Sequence, residues 1–381
     1  MNKTALIHDW IVSIGGGERV LEAQIKFIQG PIFTLIQDHS FVSKSPFKDL
    51  DIRPSFLQRI PFSKKLFRNF LPFFPLAIEQ FDLSEYDLII SNSHAVAKGV
   101  ITRSHQLHIC YCFTPMRYAW DLYHDYLKSA PIGLASMTKL ILHYLRNWDI
   151  GSLHRVDHFV AISKFVAKRI HRFYRRTASV IYPPVAVHNF FLKEQKEDYY
   201  ITVSRLVPYK RVDLIVEAFR FMPHKKLVVV GDGPEMNKIK KRAHKNVEIL
   251  GARSDSEISA LMANAKAFLF APVEDFGIAP IEAMACGTPV IAYGRGAALE
   301  TILDRQTGLF FADQTIKSLI ESIEKFEGLE FNACAIRKHA EQFSEERFAA
   351  EFKKMIDQKW GEYREGDYFS RGQRDEALAY I

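Results

Sequence analysis

Short apolar runs that alternate with segments of helical periodicity constrain the fold of this chain more than any other feature. The runs are rich in β-branched and aromatic residues, which is typical of strands buried on both faces of a parallel sheet. Alternating strand and helix patterns predict an α/β fold in which crossover helices join parallel strands. The clearest runs lie at residues 4–7, 32–35, 88–90, 109–112, 159–162, 201–204, 227–230, 247–250, 268–270, 289–292 and 308–311.

The length of the chain and one break in this alternation predict two domains. The 381 residues exceed twice the usual domain size of about 150 residues. Two prolines and a charged run interrupt the pattern after Tyr182. We therefore predict two doubly wound, Rossmann-like domains with a cleft between them, where the carboxyl ends of both sheets bind ligands. The predicted bounds are 1–184 for the N-terminal domain, 185–198 for a linker, 199–340 for the C-terminal domain and 341–381 for a helical segment that packs back on the N-terminal domain.

The positive charge of the chain is concentrated in its first half. The net charge is +7, and residues 1–190 contain 23 Lys and Arg against 14 Asp and Glu, whereas the remainder contains 28 against 30. This excess predicts an anionic partner for the first half, which can be a membrane surface, a phosphorylated substrate or a nucleic acid.

Composition and cysteine spacing predict a cytoplasmic protein. A chain that is 48% hydrophobic and 25% charged has ordinary globular values, which exclude the disordered and collagen-like classes. No uncharged apolar run reaches the length of about 18 residues that a membrane-spanning helix needs. The first residues do not have the pattern of a secretory signal, and the four cysteines have neither zinc-site nor disulfide-scaffold spacing.

The segment from Ala271 to Val290 contains the most informative candidate site. Gly277 follows a strand and opens a predicted helix, so the backbone N–H groups of Gly277, Ile278 and Ala279 would form an anion site. Glu274 and Glu282 flank this site, and sugar hydroxyls are natural partners for carboxylates placed beside a phosphate. The alternative is an acidic first turn that only complements the helix dipole.

Three ordered motifs resemble one known enzyme family. Glu274 and Glu282 match the E-x7-E element of retaining glycosyltransferases with the GT-B fold, and the run that contains them resembles glycosyltransferase family 4. Residues 203–211, with Arg205 and Lys210, resemble the strand and loop of that family that carry an Arg and a Lys. Residues 228–235 resemble its nucleotide-side strand and turn, and the resemblance covers nearly the whole chain.

The resemblance implies a role for each matching residue. Arg205 and Lys210 would neutralise the leaving diphosphate, Glu274 would hold the donor sugar, and Glu282 would hold the ribose hydroxyls. Arg205 and Lys210 taken alone are also typical of a solvated basic loop. The resemblance implies a nucleotide-sugar donor as substrate, with no cofactor and no metal, and we interpret Asp49-Leu50-Asp51 as a surface feature. The implied donor-binding residues are Gly16, Gly17, Gly231, Gly233, Arg253, Phe276, Gly277, Ile278, Ala279 and Glu282.

Two loops of the first half supply the remaining candidates. Gly15-Gly16-Gly17 follows the first strand and lets a backbone approach a ligand closely, although it can also be a flexible turn. His94 follows another strand and is a catalytic candidate facing the cleft, or else a cap of the next helix.

The stretch from Cys110 to Asp121 resembles a subgroup of the family that builds bacterial surface polysaccharides, commonly with mannose as the transferred sugar. In that subgroup the residue before Thr-Pro is usually His, and here it is Phe113, which cannot accept a proton. Arg117 and Tyr118 in the same stretch are acceptor candidates or mark a helix start.

Residues 52–78 combine basic and aromatic side chains without any acidic residue. This pattern predicts peripheral contact with an anionic membrane. Single-stranded nucleic acid also stacks on aromatic rings beside cations, and a core-packed loop with a basic rim is the third interpretation. The basic helix pattern at residues 166–176 would extend the same patch.

Together these patterns predict a retaining glycosyltransferase that moves a hexosyl group, mannose from GDP-mannose, onto a glycan or lipid-linked glycan in cell-surface polysaccharide synthesis. We place it in the cytoplasm, at the inner face of the plasma membrane. One alternative is the same fold with a UDP- or dTDP-sugar donor. The others are a basic nucleic-acid-binding protein and a non-catalytic protein that binds sugar nucleotides.

Overall fold

The computed structural model describes residues 3–129 and 135–378, and of Lys65, Asp125, Ser129 and residues 366–378 it describes the backbone only. The chain divides into two compact units. The first contains Met1–Ile181 and Ala349–Ile381, and the second contains Tyr182–Phe348.

The first unit is built on a seven-stranded parallel sheet with the strand order β3-β2-β1-β4-β5-β6-β7. Every residue of β4 and β5 is buried, because helices cover both faces of the sheet. The strands are β1 Thr4–His8, β2 Ile32–Thr34, β3 Ile52–Pro54, β4 Leu88–Ser93, β5 Leu107–Cys112, β6 His158–Ala161 and β7 Ala178–Val180. The helices are α1 Gly16–Ile25, α2 His39–Val42, α3 Ser63–Leu66, α4 Phe74–Glu79, α5 Tyr123–Ser129, α6 Ala135–Gly151 and α7 Lys164–Tyr174.

The second unit is built on a six-stranded parallel sheet with the order β10-β9-β8-β11-β12-β13. Its strands are β8 Tyr199–Val203, β9 Lys226–Val230, β10 Val247–Gly251, β11 Ala267–Phe270, β12 Val290–Tyr293 and β13 Gly308–Phe311. Its helices are α8 Val212–Arg220, α9 Met236–Arg242, α10 Asp255–Asn264, α11 Ile278–Ala285, α12 Ala298–Thr301, α13 Ile316–Glu327 and α14 Ala333–Ala340, and the last helix of the chain is α15 Glu345–Leu378.

The structure places the predicted linker, residues 185–198, inside the second unit. Lys196 donates hydrogen bonds to the carbonyl groups of Ala263 and Cys286 and to the hydroxyl of Thr288, so this stretch is anchored along its course. The second unit therefore begins at Tyr182 and ends at Phe348, where we predicted 199 and 340. The reason is that backbone hydrogen bonds and the partly buried side chain of Lys196 fix a segment whose composition is typical of a free loop.

The C-terminal segment from Ala349 belongs to the first unit. Phe352 is fully buried and packs its ring edge-on against Phe27 and Tyr111, 6.3 and 5.5 Å away between ring centroids. Tyr363 donates its hydroxyl hydrogen bond to the carbonyl of Ser104 at 2.8 Å. Residues 379–381 of the predicted segment lie outside the described residues.

Each sheet has one point at which its strand order reverses. In the first unit this point lies between β1 and β4, and in the second it lies between β8 and β11. The two strands at such a point send their connections to opposite faces, which opens a crevice at their carboxyl ends and makes it the usual ligand site of open parallel sheets. The loops after β1, β4, β8 and β11 are therefore where functional residues are expected.

A buried ion pair lies in the core of the first unit. The ammonium of Lys98 lies 2.6 Å from a carboxylate oxygen of Asp149, and both side chains are almost completely buried. Ser152 also accepts from Lys98, while Tyr174 and Trp120 donate to Asp149 at 2.8 to 3.1 Å. Because every charged atom has partners, the cluster offsets the cost of taking two charges out of water.

Replacing Lys98 with Met should destabilise the protein by about 3–5 kcal/mol, because it leaves the Asp149 carboxylate buried without a counter-ion. Urea unfolding measures this change. Lys3→Met is the control, since Lys3 pairs with Glu85 on the surface at 67% and 75% side-chain exposure. It should change the free energy of unfolding by about 0.5 kcal/mol or less. Equal effects of the two substitutions would contradict the role given to Lys98.

Candidate functional site

In the second unit, two candidate residues meet at the reversal point of the sheet. Lys210 ends a short 3-10 turn after β8, and its ammonium forms an ion pair with the carboxylate of Glu274 in the loop after β11. Both side chains are mostly buried. Arg205 lies in the same loop as Lys210 and is exposed, and no side chain in the described part of the chain hydrogen-bonds or pairs with its guanidinium. The site therefore combines one neutralised cation and one available cation.

Side chains that the sequence analysis did not single out hold these two loops together. Arg211 donates to the Gln314 side chain at 2.7 Å, and Gln314 donates in turn to the carbonyl of Ala271 at 2.8 Å. Gly296 packs directly under Glu274, where an added Cβ would lie 2.7 Å from the Glu274 carbonyl oxygen. The positions of Lys210 and Glu274 thus depend on contacts from the loops after β12 and β13.

The predicted anion site lies at the start of α11. Gly277 has φ +89°, a left-handed conformation that lets the chain turn from the loop into the helix at once. Ile278 and Ala279 open the helix and are half-buried, and Glu282 lies one turn further along it. The backbone N–H groups of this first turn point out of the helix, where the dipole favours an anion.

The side chain of Phe276, one of the implied donor-binding residues, is buried within the second unit. Its ring is buried, stacks on Tyr182 at 5.9 Å between centroids and packs edge-on against Phe343. The side chain therefore fixes the loop before α11 from inside the second unit, and only its backbone can face a donor.

Two glycines bring the turn after β9 against the loop that carries Arg205. A Cβ at Gly231 would lie 1.9 Å from the Ser204 carbonyl oxygen, and one at Gly233 would lie 2.4 Å from that of Leu206. Backbone hydrogen bonds join the same segments. Arg253 is exposed, and its guanidinium donates to the carbonyl of Ala252 at 3.1 Å.

We expect Gly231→Ala to destabilise the protein far more than Gly251→Ala. Both glycines have positive φ, +131° and +72°, but the new methyl group would collide with backbone only at Gly231. Gly251→Ala should cost about 1–2 kcal/mol from the left-handed backbone alone. Thermal unfolding of the two variants measures the difference, and equal melting temperatures would contradict the close approach described here.

In the first unit, the Asp9 carboxylate fixes the loop at the point where the strand order reverses. It is completely buried and accepts hydrogen bonds from the backbone N–H groups of His94, Ala95, Val96 and Ala97 at 2.7 to 2.9 Å. The loop after β4 is therefore fastened to the end of β1. Sequence analysis missed Asp9, although its position directly after a buried strand was a usable signal.

His94 is oriented by the same carboxylate. Its Nδ1 lies 3.1 Å from Asp9 and its ring meets Trp10 edge-on at 4.4 Å. A carboxylate at Nδ1 assigns the hydrogen to that nitrogen and leaves Nε2 as an acceptor. Burial lowers the pKa of His94, against the opposing charge of Asp9, so the ring is neutral at pH 7. The helix-cap interpretation fails here because Asp9, and not His94, satisfies the free N–H groups.

The glycine-rich turn lies against Phe113. A Cβ at Gly17 would lie 3.3 Å from the Phe113 ring and 3.4 Å from the ring of His8, and Gly16 is the first residue of α1. Phe113 also lies between two histidine rings, with centroids 6.3 Å from His8 and 6.1 Å from His94. The position that is usually His in the resembling subgroup thus has two histidines near it, His8 at the end of β1 and His94 in the loop after β4.

The acceptor candidates Arg117 and Tyr118 lie in a turn after β5, where Ala119 donates to the carbonyl of Met116. The phenol group of Tyr118 is buried. Burial raises its pKa well above the usual value, and the nearby charge of Asp9 adds to the rise. Tyr118 is consequently a neutral hydroxyl at the same end of the sheet as His94.

Residues 52–78 are only partly surface. Phe67 and Phe74 are buried in the core of the first unit and Phe56 and Phe70 pack against it, so these four rings fit the interpretation of a core-packed loop. Phe62 and Phe73 remain exposed, at 73% and 53%. The side chain of Lys65 lies outside the described residues.

The described residues contain neither a cluster suited to a metal ion nor a helix suited to spanning a membrane. No group of three or more His, Cys, Asp or Glu side chains in residues 3–129 and 135–378 is arranged to hold a metal ion. Asp51 of the Asp-Leu-Asp triplet pairs with Arg53 at 2.7 Å. In the same part of the chain, no helix has both the length and the apolar character needed to cross a bilayer.

Comparison with known proteins adds a family match in the second unit. Residues 186–347 match the family model described as Glycosyl transferases group 1. An uncharacterized glycosyltransferase of Methanocaldococcus jannaschii is 30% identical over 173 residues, which are 44% of this chain and 48% of that protein. The GDP-mannose-dependent alpha-(1-6)-phosphatidylinositol monomannoside mannosyltransferase of Mycobacterium tuberculosis is 32% identical over 140 residues, 32% of this chain and 36% of that protein. The chain thus spans half or less of these curated relatives.

Solved structures match over nearly the full length. Anabaena HepE in complex with UDP and glucose gives a TM-score of 0.69 at 16% identity, covering 94% of this chain and 100% of that chain. Sucrose-phosphate synthase from Thermosynechococcus elongatus gives 0.67 at 18% identity, covering 95% and 100%. The chain therefore has the GT-B fold of two Rossmann-like domains, and the glycosyl transferases group 1 match lies in its second unit.

Proposed function

We propose that this chain is a retaining glycosyltransferase that transfers a hexosyl group, mannose from GDP-mannose, to a glycan or lipid-linked glycan in cell-surface polysaccharide synthesis. The observation that carries the proposal is the Lys210–Glu274 ion pair beside the exposed Arg205, at the reversal point of the second sheet. The group 1 family match over the same residues supports it.

The arrangement fits the charge that develops when a sugar–diphosphate bond breaks. Arg205 offers a planar fork to phosphate oxygens, and Lys210 offers a compact charge. Without a metal, these two cations and the first turn of α11 would neutralise the leaving group, each cation contributing about 3 kcal/mol. Glu274 holds Lys210 in place before the donor binds, and on binding it is free to accept from a sugar hydroxyl. Glu282 would take the ribose hydroxyls.

The identity of the donor rests on fewer observations. Mannose is favoured by the resemblance of residues 110–121 to a mannose-transferring subgroup and by the mannosyltransferase name of the mycobacterial relative. A UDP-sugar is the second candidate, because the similar HepE structures contain UDP and UDP-glucose.

A peripheral membrane contact belongs to the same proposal, with the enzyme at the cytoplasmic face. Phe62, Leu66, Phe73 and Leu76 expose about half or more of their surface within a segment that has no acidic residue. Exposed apolar side chains among basic residues suit the interface of an anionic bilayer, where a lipid-linked acceptor would be found. The exposed residues Lys168 and Arg172 of α7 would add positive charge in the first unit.

Lys210→Ala and Glu274→Ala should each reduce sugar transfer by about 100-fold or more, because each removes a charge aimed at the donor and leaves the core intact. Steady-state kinetics with the donor, together with melting temperatures, measure this. Lys317→Ala on α13 is the control, since Lys317 is 87% exposed and its pairing with Glu321 spans 3.9 Å. Unchanged activity in both site variants would overturn the site assignment.

GDP-mannose or GDP should raise the melting temperature of the purified protein, because a ligand that binds only the folded state stabilises it by mass action. A panel of GDP-, UDP- and dTDP-sugars, measured by thermal shift, tests the donor. A shift with UDP- or dTDP-sugars only would keep the reaction and discard mannose. No shift with any of them, together with salt-sensitive binding of single-stranded DNA, would contradict the proposed function.

A further inference from the structure

One cluster in the first unit is not explained by packing. His8, the last residue of β1, is completely buried, and neither of its ring nitrogens has a hydrogen-bond partner in the described part of the chain. Buried polar groups nearly always have partners, because losing water without replacement is costly. The fold therefore carries a cost at His8 that the protein's own residues do not offset.

His108 on β5 shows what a structural histidine looks like in the same sheet. It is equally buried, yet its Nδ1 donates to the Arg155 carbonyl at 2.6 Å and its Nε2 accepts from the Ser91 hydroxyl at 2.7 Å. Burial lowers the pKa of His108 to about 4, so the ring is neutral and fully satisfied. His8 differs from His108 in its partners and not in its burial.

A second buried polar side chain lies close to His8. Glu18, in the first turn of α1, is 8% exposed, and one of its carboxylate oxygens lies 3.8 Å from His8 Nε2. This distance is too long for a direct hydrogen bond. An oxygen atom placed about 2.8 Å from both would bridge them. A hydroxyl suits this position, because it can accept from an imidazole N–H and donate to a carboxylate at once.

The glycine-rich turn approaches this pair closely. A Cβ at Gly15 would lie 2.9 Å from the second Glu18 oxygen, and one at Gly17 would contact His8 and Phe113. The Phe113 ring lies against His8 and provides an apolar wall of the kind that sugar C–H groups contact. The same Phe113 ring has its centroid 6.1 Å from that of His94, which places the catalytic candidate in the same cluster.

We propose that His8 and Glu18 form a hydroxyl-binding site for a sugar, with one hydroxyl bridging His8 Nε2 and the Glu18 carboxylate. This site deepens the proposed function, on which it rests, and assigns two residues that neither the motifs nor the family match identify. The hydroxyl can come from the transferred sugar of the donor or from the acceptor glycan.

The first test uses free sugars and does not require turnover. Methyl α-mannopyranoside and methyl α-glucopyranoside, at millimolar concentration with and without GDP or UDP, are added to protein labelled at histidine. The ring signals of His8, assigned by their loss in His8→Phe, should shift in the wild type and in Glu22→Gln but not in Glu18→Gln. Glu22 is the matched control, one turn further along α1. Unshifted His8 signals in every condition would overturn the site.

The melting temperature provides a second readout. If the role of His8 were merely structural, replacing it would lower the melting temperature, whereas a binding role predicts no loss. His8→Phe and His8→Leu remove unpartnered polar atoms, so the melting temperature should stay constant or rise. His108→Phe breaks two hydrogen bonds and should lower it by about 4 °C or more. A comparable loss in both His8 variants would assign His8 to the core and overturn the proposal.

The source of the hydroxyl follows from binding measurements on Glu18→Gln. A loss of about tenfold in affinity for the intact nucleotide sugar, with unchanged affinity for the nucleotide diphosphate, would assign the site to the donor sugar. If donor affinity is unchanged, and transfer of the sugar to the acceptor is slower while transfer to water is not, the site would be assigned to the acceptor. If the wild type binds no nucleotide sugar, the proposed function fails, and the response of His8 to the glycosides still decides the site.

Discussion

Burial of both faces of each parallel sheet is the constraint on which the rest of this structure depends. A strand covered on both sides can carry almost no polar side chain in its middle, so polar chemistry is displaced to the strand ends. The reversal of strand order then selects which ends are open, β1 and β4 in one unit and β8 and β11 in the other. The residues that matter for the proposed function, such as His94 and Lys210, lie in the loops that follow these strands.

Charge at the two reversal points is organised in different ways. In the second unit Lys210 and Glu274 neutralise each other while Arg205 stays exposed, which suits a site that must receive and release a highly charged diphosphate. In the first unit the charge of Asp9 is taken up by four backbone N–H groups, so it holds a loop in place rather than meeting a ligand. A carboxylate therefore pairs with a cation in one unit and fixes a loop in the other.

The sequence predicted the inner strands well because their apolar runs reflect burial on both faces. It did not predict β3 and β7, which lie at the two edges of the first sheet and whose residues are only partly buried or exposed, so no apolar run marks them. Lys210 and Glu274 were predictable because the motifs are local to loops after strands. The buried ring of Phe276 was not, since its contacts come from residues distant in the chain.

Asp9 and Glu18 escaped prediction for a related reason. An isolated acidic residue near a glycine-rich turn has many possible roles, and only the distances to backbone N–H groups or to His8 separate them. The substitution at Phe113 illustrates the same limit. From sequence it removes a histidine, whereas in the fold two other histidines lie near its ring, His8 from β1 and His94 from the loop after β4.

In the part of the first unit that the structure describes, Lys98 and Asp149 in the core have hydrogen-bond partners, whereas several buried polar groups at the strand ends do not. Lys98 and Asp149 are buried and fully partnered, which stabilises the fold. By contrast, among the described residues, polar atoms of His8, Thr34, Asn92 and Tyr118 are buried without a hydrogen-bond partner, and these residues lie at or after the carboxyl ends of β1, β2, β4 and β5. Within the described part of the chain, the amide nitrogen of Gln24 in α1 is also without a partner, although its oxygen accepts from Asn92. Buried polar groups without partners at one end of a sheet lower the stability of the fold. They also form a surface whose hydrogen bonds a polyhydroxylated ligand can complete. Their location, more than any single residue, argues that this end of the sheet was shaped for binding.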